Sequence, residues 1–85
     1  MLKIVAVEPG TDEAILRLEG RVIGPWVEEV RRSCESVFSR GARLTLDLSD
    51  VSFVDREGVD LLRSLRDRHV ALENCSPFVA TLLKA

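Results

Sequence analysis

The chain lacks most of what is needed to build a common active site. Its 85 residues include a single histidine, and the two cysteines, Cys34 and Cys75, stand in neither a CxxC nor a zinc-ligand spacing. It has no glycine-rich phosphate loop and no Ser/His/Asp or Cys/His combination. A net charge of -2 gives no general attraction to polyanions. These absences argue against a zinc site, a nucleophilic hydrolase and a nucleic-acid-binding protein.

Long apolar runs are lacking too. At the N-terminus one lysine precedes a short apolar stretch, Ile4 to Val7, which Glu8 and Pro9 interrupt too soon for a signal peptide. No run approaches the roughly 18 residues that span a membrane. The sequence therefore predicts a cytoplasmic protein without a membrane segment, whose two cysteines are reduced, buried and hydrophobic in character.

What remains is the composition of an ordinary globular protein, with 46% hydrophobic and 31% charged residues. This balance excludes the low-hydrophobicity, high-charge profile of a disordered chain. A chain of this length buries only roughly 60 to 65% of the surface that its unfolded form exposes. We therefore expect one domain, residues 1–85, of modest stability.

The first half of the chain predicts a β-hairpin followed by a helix. Alternating residues from Leu2 to Val7, a turn cluster at 8–12 and a second strand at 14–22 favour antiparallel pairing. Gly24-Pro25 then opens a helix whose apolar residues recur at helical spacing, and Gly41 stands just past its end. Trp26 is expected to pack over the edge of the core.

The second half predicts two further strands, each followed by a helix. The predicted elements are a strand at 44–49, a loop at 50–55, a helix at about 56–68, a strand at 70–74, and a helix from 77 to about 84 that buries Phe78, Val79, Leu82 and Leu83. The crossover through the first helix implies parallel pairing of the second and third strands. The order ββαβαβα predicts an α/β domain, with helices packed against a small mixed sheet of about four strands.

The most informative segment is Leu-Thr-Leu-Asp-Leu-Ser-Asp-Val-Ser-Phe-Val-Asp-Arg-Glu-Gly, residues 44–58. It resembles the signature of the STAS family, the sulfate-transporter and anti-sigma-factor-antagonist domain. Residues 46–49 match the family's hydrophobic-Asp-Leu-Ser strand, and 53–55 with 58–59 match its switch loop and helix start. Gly20 and the Cys75-Ser-Pro77 run resemble further family positions.

In the family's switching members, a serine or threonine just before the loop glycine is phosphorylated. Here that position is Glu57, so the resemblance implies a stand-alone bacterial member without the usual phosphorylation switch. Glutamate carries one negative charge and two oxygens, against about -1.5 to -2 and three for phosphoserine, which makes it a partial mimic. The other interpretation is that Glu57 is only an exposed first-turn acid, favoured by the helix dipole.

The resemblance implies a non-enzymatic signalling module, similar to an anti-sigma factor antagonist, that needs no cofactor or metal. It would bind a protein partner through the 50–58 segment and the following helix. The implied partner is an anti-sigma factor of the serine-kinase type or a component of a stressosome-like assembly. The expected partner-binding residues are Asp50, Ser52, Asp55, Arg56, Glu57, Gly58, Asp60 and Ser64.

Two alternatives stay open on the sequence. Carboxylates at the C-terminal ends of strands could form an acidic site, so a small hydrolase or phosphoryl-transfer enzyme could use Asp47, Asp55 and Glu57. Against it, Asp55 also suits the N-cap of the helix that follows. The second alternative is a structural, oligomer-forming subunit, since the sequence does not fix the oligomeric state.

The helix at 56–68 also carries a stripe of alternating charges. Its members stand three or four residues apart, a spacing that predicts an exposed row of ion pairs worth little energy. The stripe consists of Arg56, Asp60, Arg63 and Asp67.

Overall fold

The structure is a computed structural model that describes residues 1–84. Its elements are β1 (Leu2–Gly10), β2 (Glu13–Val22), α1 (Pro25–Ser39), β3 (Arg43–Val54), α2 (Arg56–Asp67), β4 (Ala71–Glu73) and α3 (Pro77–Lys84). The strands form one sheet in the order β1-β2-β3-β4. β1 runs antiparallel to β2, whereas β2, β3 and β4 are mutually parallel. The predicted α/β class and the order ββαβαβα are confirmed.

The three helices contribute the apolar side chains that cover one face of the sheet. Along β2 and β3, buried leucines alternate with polar or half-exposed residues, as expected for strands with one covered face. Leu18, Leu46 and Leu48 are completely buried, as are Val30 of α1 and Leu62 of α2. The opposite face of the sheet carries the side chains of the intervening residues.

Helix α1 begins and ends where the sequence predicts. Pro25 occupies its first turn, and Gly24, with φ 53°, stands at the N-cap. Past the last turn Gly41 adopts φ +72°, and its N–H donates to the carbonyl of Phe38 at 2.9 Å. Trp26 is half-buried against the core, as predicted.

The loop predicted at residues 50–55 is wrong, because β3 continues to Val54. Two register shifts lie between β2 and β3, and at each of them β3 holds one residue more than β2. These bulges absorb the polar residues Ser49 and Ser52, so pairing resumes at Asp50 and again at Phe53. β1 is also longer than predicted, because it continues to Gly10 past a shift in its pairing with β2 that follows Val7.

The predicted burial of Phe78 is wrong as well. Val79 and Leu83 form the buried side of α3, and Leu82 is half-buried. Phe78 stands at the margin of the apolar side of α3 that these residues form, and it is 51% exposed. Its ring stacks on that of Phe53, with 5.9 Å between the ring centroids.

No helix within residues 1–84 is both long enough and apolar enough to cross a membrane. Both cysteines are free thiols. Cys34 is fully buried on α1, as predicted, but Cys75 is only half-buried. Burial raises the pKa of the Cys34 thiol to about 12, with a smaller contribution from the neighbouring Glu35.

These environments predict different reactivities for the two thiols. Alkylation requires the thiolate, so Cys34 should react only when the domain unfolds, whereas Cys75 should react in the native state. Mass spectrometry of the intact protein during iodoacetamide treatment at pH 8 measures both rates, and tryptic peptides assign them. Equal rates for the two residues in the native protein would contradict the burial of Cys34.

Candidate functional site

Asp55 joins the starts of two helices. Its backbone is extended, and its Oδ1 accepts a hydrogen bond from the N–H of Gly58 at 2.8 Å, which makes it the N-cap of α2. Its Oδ2 accepts from the N–H of Gly24 at 2.9 Å, at the N-cap of α1. The Asp55 N–H in turn donates to the carbonyl of Val22. One side chain therefore fixes the N-termini of α1 and α2 relative to each other.

Gly58 lets the first turn of α2 approach the sheet closely. A Cβ at this position would lie 2.6 Å from the carbonyl oxygen of Val22 and 2.6 Å from Cγ1 of Val54. Both contacts are shorter than any real Cβ makes, so only glycine fits without a shift of the helix. Gly58 is buried, and its place in the site is to set the height of α2 above β2 and β3.

Glu57 projects from the first turn of α2 and is exposed. It lies in a shallow groove between α1 and α2, together with Arg31, Asp60 and Ser64. Arg31 is paired with Glu28 at 3.2 Å, and no residue among 1–84 forms a salt bridge with Glu57. The Glu57 carboxylate is therefore solvated at the positive end of the helix dipole.

The predicted row of ion pairs along α2 does not form. Within residues 1–84, no salt bridge joins any two members of the stripe. Arg63 instead donates from Nε to the carbonyl of Leu83 at 3.1 Å, which ties α2 to the end of α3. The side chains of Arg56 and Asp60 remain exposed and unpaired within the described part of the chain. These charges are free to pair with another molecule.

A second groove, of about 620 Å³, runs along the other side of α2. Phe53, Val59 and Leu82 contribute its apolar surface, and Arg56 and Asp60 stand at its polar rim. Helix α2 thus forms a ridge between this groove and the one that contains Glu57. Aromatic side chains beside charged residues are typical of protein interfaces.

The structure divides the predicted partner-binding residues into three groups. Asp55, Arg56, Glu57, Asp60 and Ser64 lie together at the start and along the exposed side of α2, where the Ser64 hydroxyl donates to the carbonyl of Leu61. Gly58 lies beneath them. Asp50 and Ser52 belong to the extended part of β3: Asp50 pairs with Glu19 of β2, and the Ser52 hydroxyl donates to the carbonyl of Gly20 at 3.2 Å.

The acidic residues considered for an enzyme have separate hydrogen-bond partners. Asp47 lies on the exposed side of β3 and accepts from the N–H of Ser49 at 3.0 Å and from Nδ2 of Asn74 at 3.1 Å. These two bonds, the first above all, lower the pKa of Asp47. Both carboxylate oxygens of Asp55 already accept hydrogen bonds, from the N–H groups of Gly58 and Gly24. Within residues 1–84, no three His, Cys, Asp or Glu side chains are placed to hold a metal ion together.

Sequence reasoning missed two features of the site. The bond from Gly24 to Asp55 joins residues 31 positions apart, and no local pattern signals it. The contact between Phe53 and Phe78 was missed because both residues were assigned by local pattern alone. The sequence offered one indication of this contact: Phe78 lies at the margin of the apolar side of α3, where it could reach a neighbouring residue.

A four-stranded mixed sheet with a capped helix after the third strand defines a small α/β domain of a known class. Residues 3–85 match the sequence profile of the STAS domain. The chain belongs to the STAS family. Comparison with curated protein sequences gave no significant match.

Two solved structures share the fold. The first is the anti-sigma factor antagonist SpoIIAA in its unphosphorylated form, with a TM-score of 0.75, 21% sequence identity, and coverage of 96% of this chain and 82% of that one. The second is the Bacillus cell fate determinant SpoIIAA in the phosphorylated form, with a TM-score of 0.70, 21% identity, and coverage of 96% and 81%. At this identity the likeness establishes the fold.

Proposed function

We propose that this STAS domain is a non-enzymatic signalling module that binds a protein partner through the exposed side of α2. The observation that carries the proposal is the set of unpaired charges, from Arg56 to Asp60, on a helix whose start Asp55 and Gly58 hold rigidly. The binding surface consists of Asp55, Arg56, Glu57, Asp60 and Ser64, with Asp50 and Ser52 nearby on β3. It works in the cytoplasm.

The charges on this surface favour recognition of a protein. Arg56, Glu57 and Asp60 present both signs within one helical turn, and the structure gives none of them a salt bridge among residues 1–84. Such charges guide a complementary partner into register without a cost for breaking internal pairs. The adjacent groove, with Phe53 and Leu82, supplies the apolar area that a partner can bury.

The structural neighbours support the kind of partner. SpoIIAA is described as an anti-sigma factor antagonist, and it has been solved both with and without phosphate. We propose that the partner here is likewise an anti-sigma factor of the serine-kinase type, or a component of a stressosome-like assembly. Glu57 occupies the position before Gly58 that carries the phosphorylated hydroxyl in switching members of the family, so the chain works without that switch.

An enzymatic role receives no support from the geometry. A hydrolase built on Asp47, Asp55 and Glu57 would need these carboxylates to converge on one substrate atom. Asp55 gives both of its oxygens to helix caps, and Asp47 is held by Ser49 and Asn74. We therefore assign these residues to structure and to recognition.

Two matched serine substitutions test the binding surface. Ser64→Lys places a bulky charge on α2, whereas Ser36→Lys makes the same change on the exposed side of α1. After capture of the partner from the native cell, titration calorimetry should show that Ser64→Lys weakens binding about tenfold or more, which is about 1.4 kcal/mol. Ser36→Lys should bind as the wild type does. Equal effects of the two variants, or recovery of a metabolic complex, would contradict the proposal.

A further inference from the structure

The face of the sheet opposite the helices is bare in the described part of the chain. Three of its four strands are parallel to one another, and all-parallel sheets are almost always covered on both faces, whereas antiparallel sheets often leave one face in water. Here α1, α2 and α3 all contribute to one core, and the other face carries half-exposed and exposed side chains. The parallel part of this mixed sheet therefore makes the open face a candidate for a covering layer.

A row of small and apolar residues crosses this face from edge to edge. Val7 pairs with Ile15, Ile15 with Thr45, and Thr45 with Ala71, so the four side chains stand side by side on the four strands. Val7 is 49% exposed, and Val5 lies beside the row on β1. A continuous apolar row on an open sheet marks a docking surface better than scattered apolar residues do.

The charges beside this row are separated by sign. The half of the face on β1 and β2 carries three basic residues, and the half on β3 and β4 carries three acidic ones. Glu13 and Glu19 also lie on the first half and Arg43 on the second, so the net formal charges are +1 (three basic residues less two acidic) and -2 (three acidic residues less one basic). Arg17 is already paired with Glu19 at 3.1 Å. The basic residues are Lys3, Arg17 and Arg21, and the acidic ones are Asp47, Asp50 and Glu73.

We propose that a second copy of this chain covers the open face, related to the first by a two-fold axis that runs along the strands between β2 and β3. A rotation about that axis exchanges the two halves of the face, so each basic half meets an acidic half. Arg17 then faces Asp47 of the second copy, and Ile15 faces its Thr45. The apolar row lies on its own counterpart, with Val7 over Ala71.

The size of the face predicts a weak dimer. With strands about 4.8 Å apart and a rise of about 3.3 Å per residue, about six residues on each of β1, β2 and β3 and the 3 residues of β4 cover roughly 330 Å² per copy. That area is less than half of the roughly 800 Å² per partner that specific interfaces bury, so only a weak, transient dimer fits it. The dimer should therefore form reversibly at high micromolar concentrations. Helix α2 lies on the other side of the sheet, so self-association leaves Arg56, Glu57, Asp60 and Ser64 free, and Asp50 is the one residue that the two proposed surfaces share.

Sedimentation equilibrium between about 10 µM and 1 mM, which brackets weak dissociation constants, tests the proposal on five proteins. The wild type should show a monomer–dimer equilibrium. Ile15→Lys should weaken it about tenfold or more by placing a charge in the apolar row. Arg17→Glu should do the same, whereas Arg17→Lys should retain the dimer. Ser36→Lys, on the helical side, is the control and should behave as the wild type.

The solution conditions and amide shifts locate the contact. Raising the salt from about 0.05 to 0.5 M should weaken the dimer several-fold, since opposite charges meet across it. In ¹⁵N spectra, the concentration-dependent shifts should fall on Val5, Ile15, Thr45 and their neighbours. A wild type that is monomeric at 1 mM, or a dimer weakened equally by Ser36→Lys, would overturn the proposal. A dimer whose shifts fall on α2 would overturn it too. Loss of partner binding in Ser64→Lys with the dimer intact separates this proposal from that of partner binding.

Discussion

Gly58→Ala should lower the free energy of unfolding by up to roughly 2 kcal/mol, because the cost of overpacking, roughly 1 to 3 kcal/mol, exceeds the gain of about 1 kcal/mol that alanine brings over glycine in a helix. The added methyl group would lie 2.6 Å from the carbonyl oxygen of Val22 and from a methyl group of Val54. Val54 can rotate, but the carbonyl belongs to Val22, the last residue of the central strand β2, and it accepts a hydrogen bond from the Asp55 N–H, so we expect α2 to move outward. That movement would strain the bond from Gly58 to Asp55.

Urea denaturation followed by circular dichroism measures this loss, and Gly10→Ala is the matched control. Nothing lies within 4 Å of a Cβ at Gly10, so that variant should unfold close to the wild-type midpoint. Gly58→Leu should be less stable than Gly58→Ala, because it adds three more carbon atoms at the same contact. An unchanged midpoint for both Gly58 variants would show that α2 does not rest on β2 as closely as the structure has it.

The alternation of residues and the helical spacing were sufficient to predict the architecture. Leu44, Leu46 and Leu48 alternate with polar residues, and the apolar spacing of α1 and α2 is regular, so element type and order follow from local pattern. Pro25 and Gly41 marked the ends of α1 because their backbone preferences hold in any context. The contact of Gly58 with the sheet was predictable for the same reason, since it follows from the helical phase of the buried leucines.

The features that were missed depend on contacts between distant parts of the chain. The segment after Asp50 reads as a loop because Ser52 and the acids around it interrupt the alternation, yet pairing with β2 continues through two bulges. Whether a polar residue ends a strand or enters a bulge depends on the neighbouring strand, which the local sequence does not contain. The hydrogen bond from Gly24 to Asp55 has the same origin. It appears only when the starts of α1 and α2 come together.

The ion pairs predicted along α2 failed for an energetic reason. Exposed pairs three or four residues apart are worth about 0.3 to 0.5 kcal/mol, so a competing contact easily displaces them. Arg63 gains a partly buried bond to the carbonyl of Leu83 instead. The consequence bears on function, because Arg56 and Asp60 are left without internal partners beside Glu57. The proposed partner surface is thus more available than the sequence pattern implied.

Glu57→Ser should change the affinity for the partner by roughly 1 to 3 kcal/mol, the scale of charge-assisted hydrogen bonds gained or lost. Glu57 has no salt bridge within residues 1–84, so its charge is available to an approaching protein. If it stands in for a phosphate, it favours a partner that prefers the phosphorylated state. Serine then weakens that binding, and it strengthens the binding of a partner that needs a neutral hydroxyl.

Titration calorimetry of the captured partner with wild type, Glu57→Ser and Glu57→Gln measures the effect, and circular dichroism checks the fold of each. Glutamine keeps the size of the side chain and removes its charge. If the charge of Glu57 contributes to binding, Glu57→Gln should therefore show nearly the same affinity for the partner as Glu57→Ser. Glu29→Gln, an exposed acid near the start of α1, is the control and should bind as the wild type does. A partner with kinase activity should phosphorylate Glu57→Ser at that position and leave the wild type unmodified.

Equal affinities across the Glu57 series would show that Glu57 is only an acid at the start of a helix, which stabilises α2 by about 0.3 to 1 kcal/mol through the dipole. Recognition would then depend on Arg56, Asp60 and the groove beside Phe53.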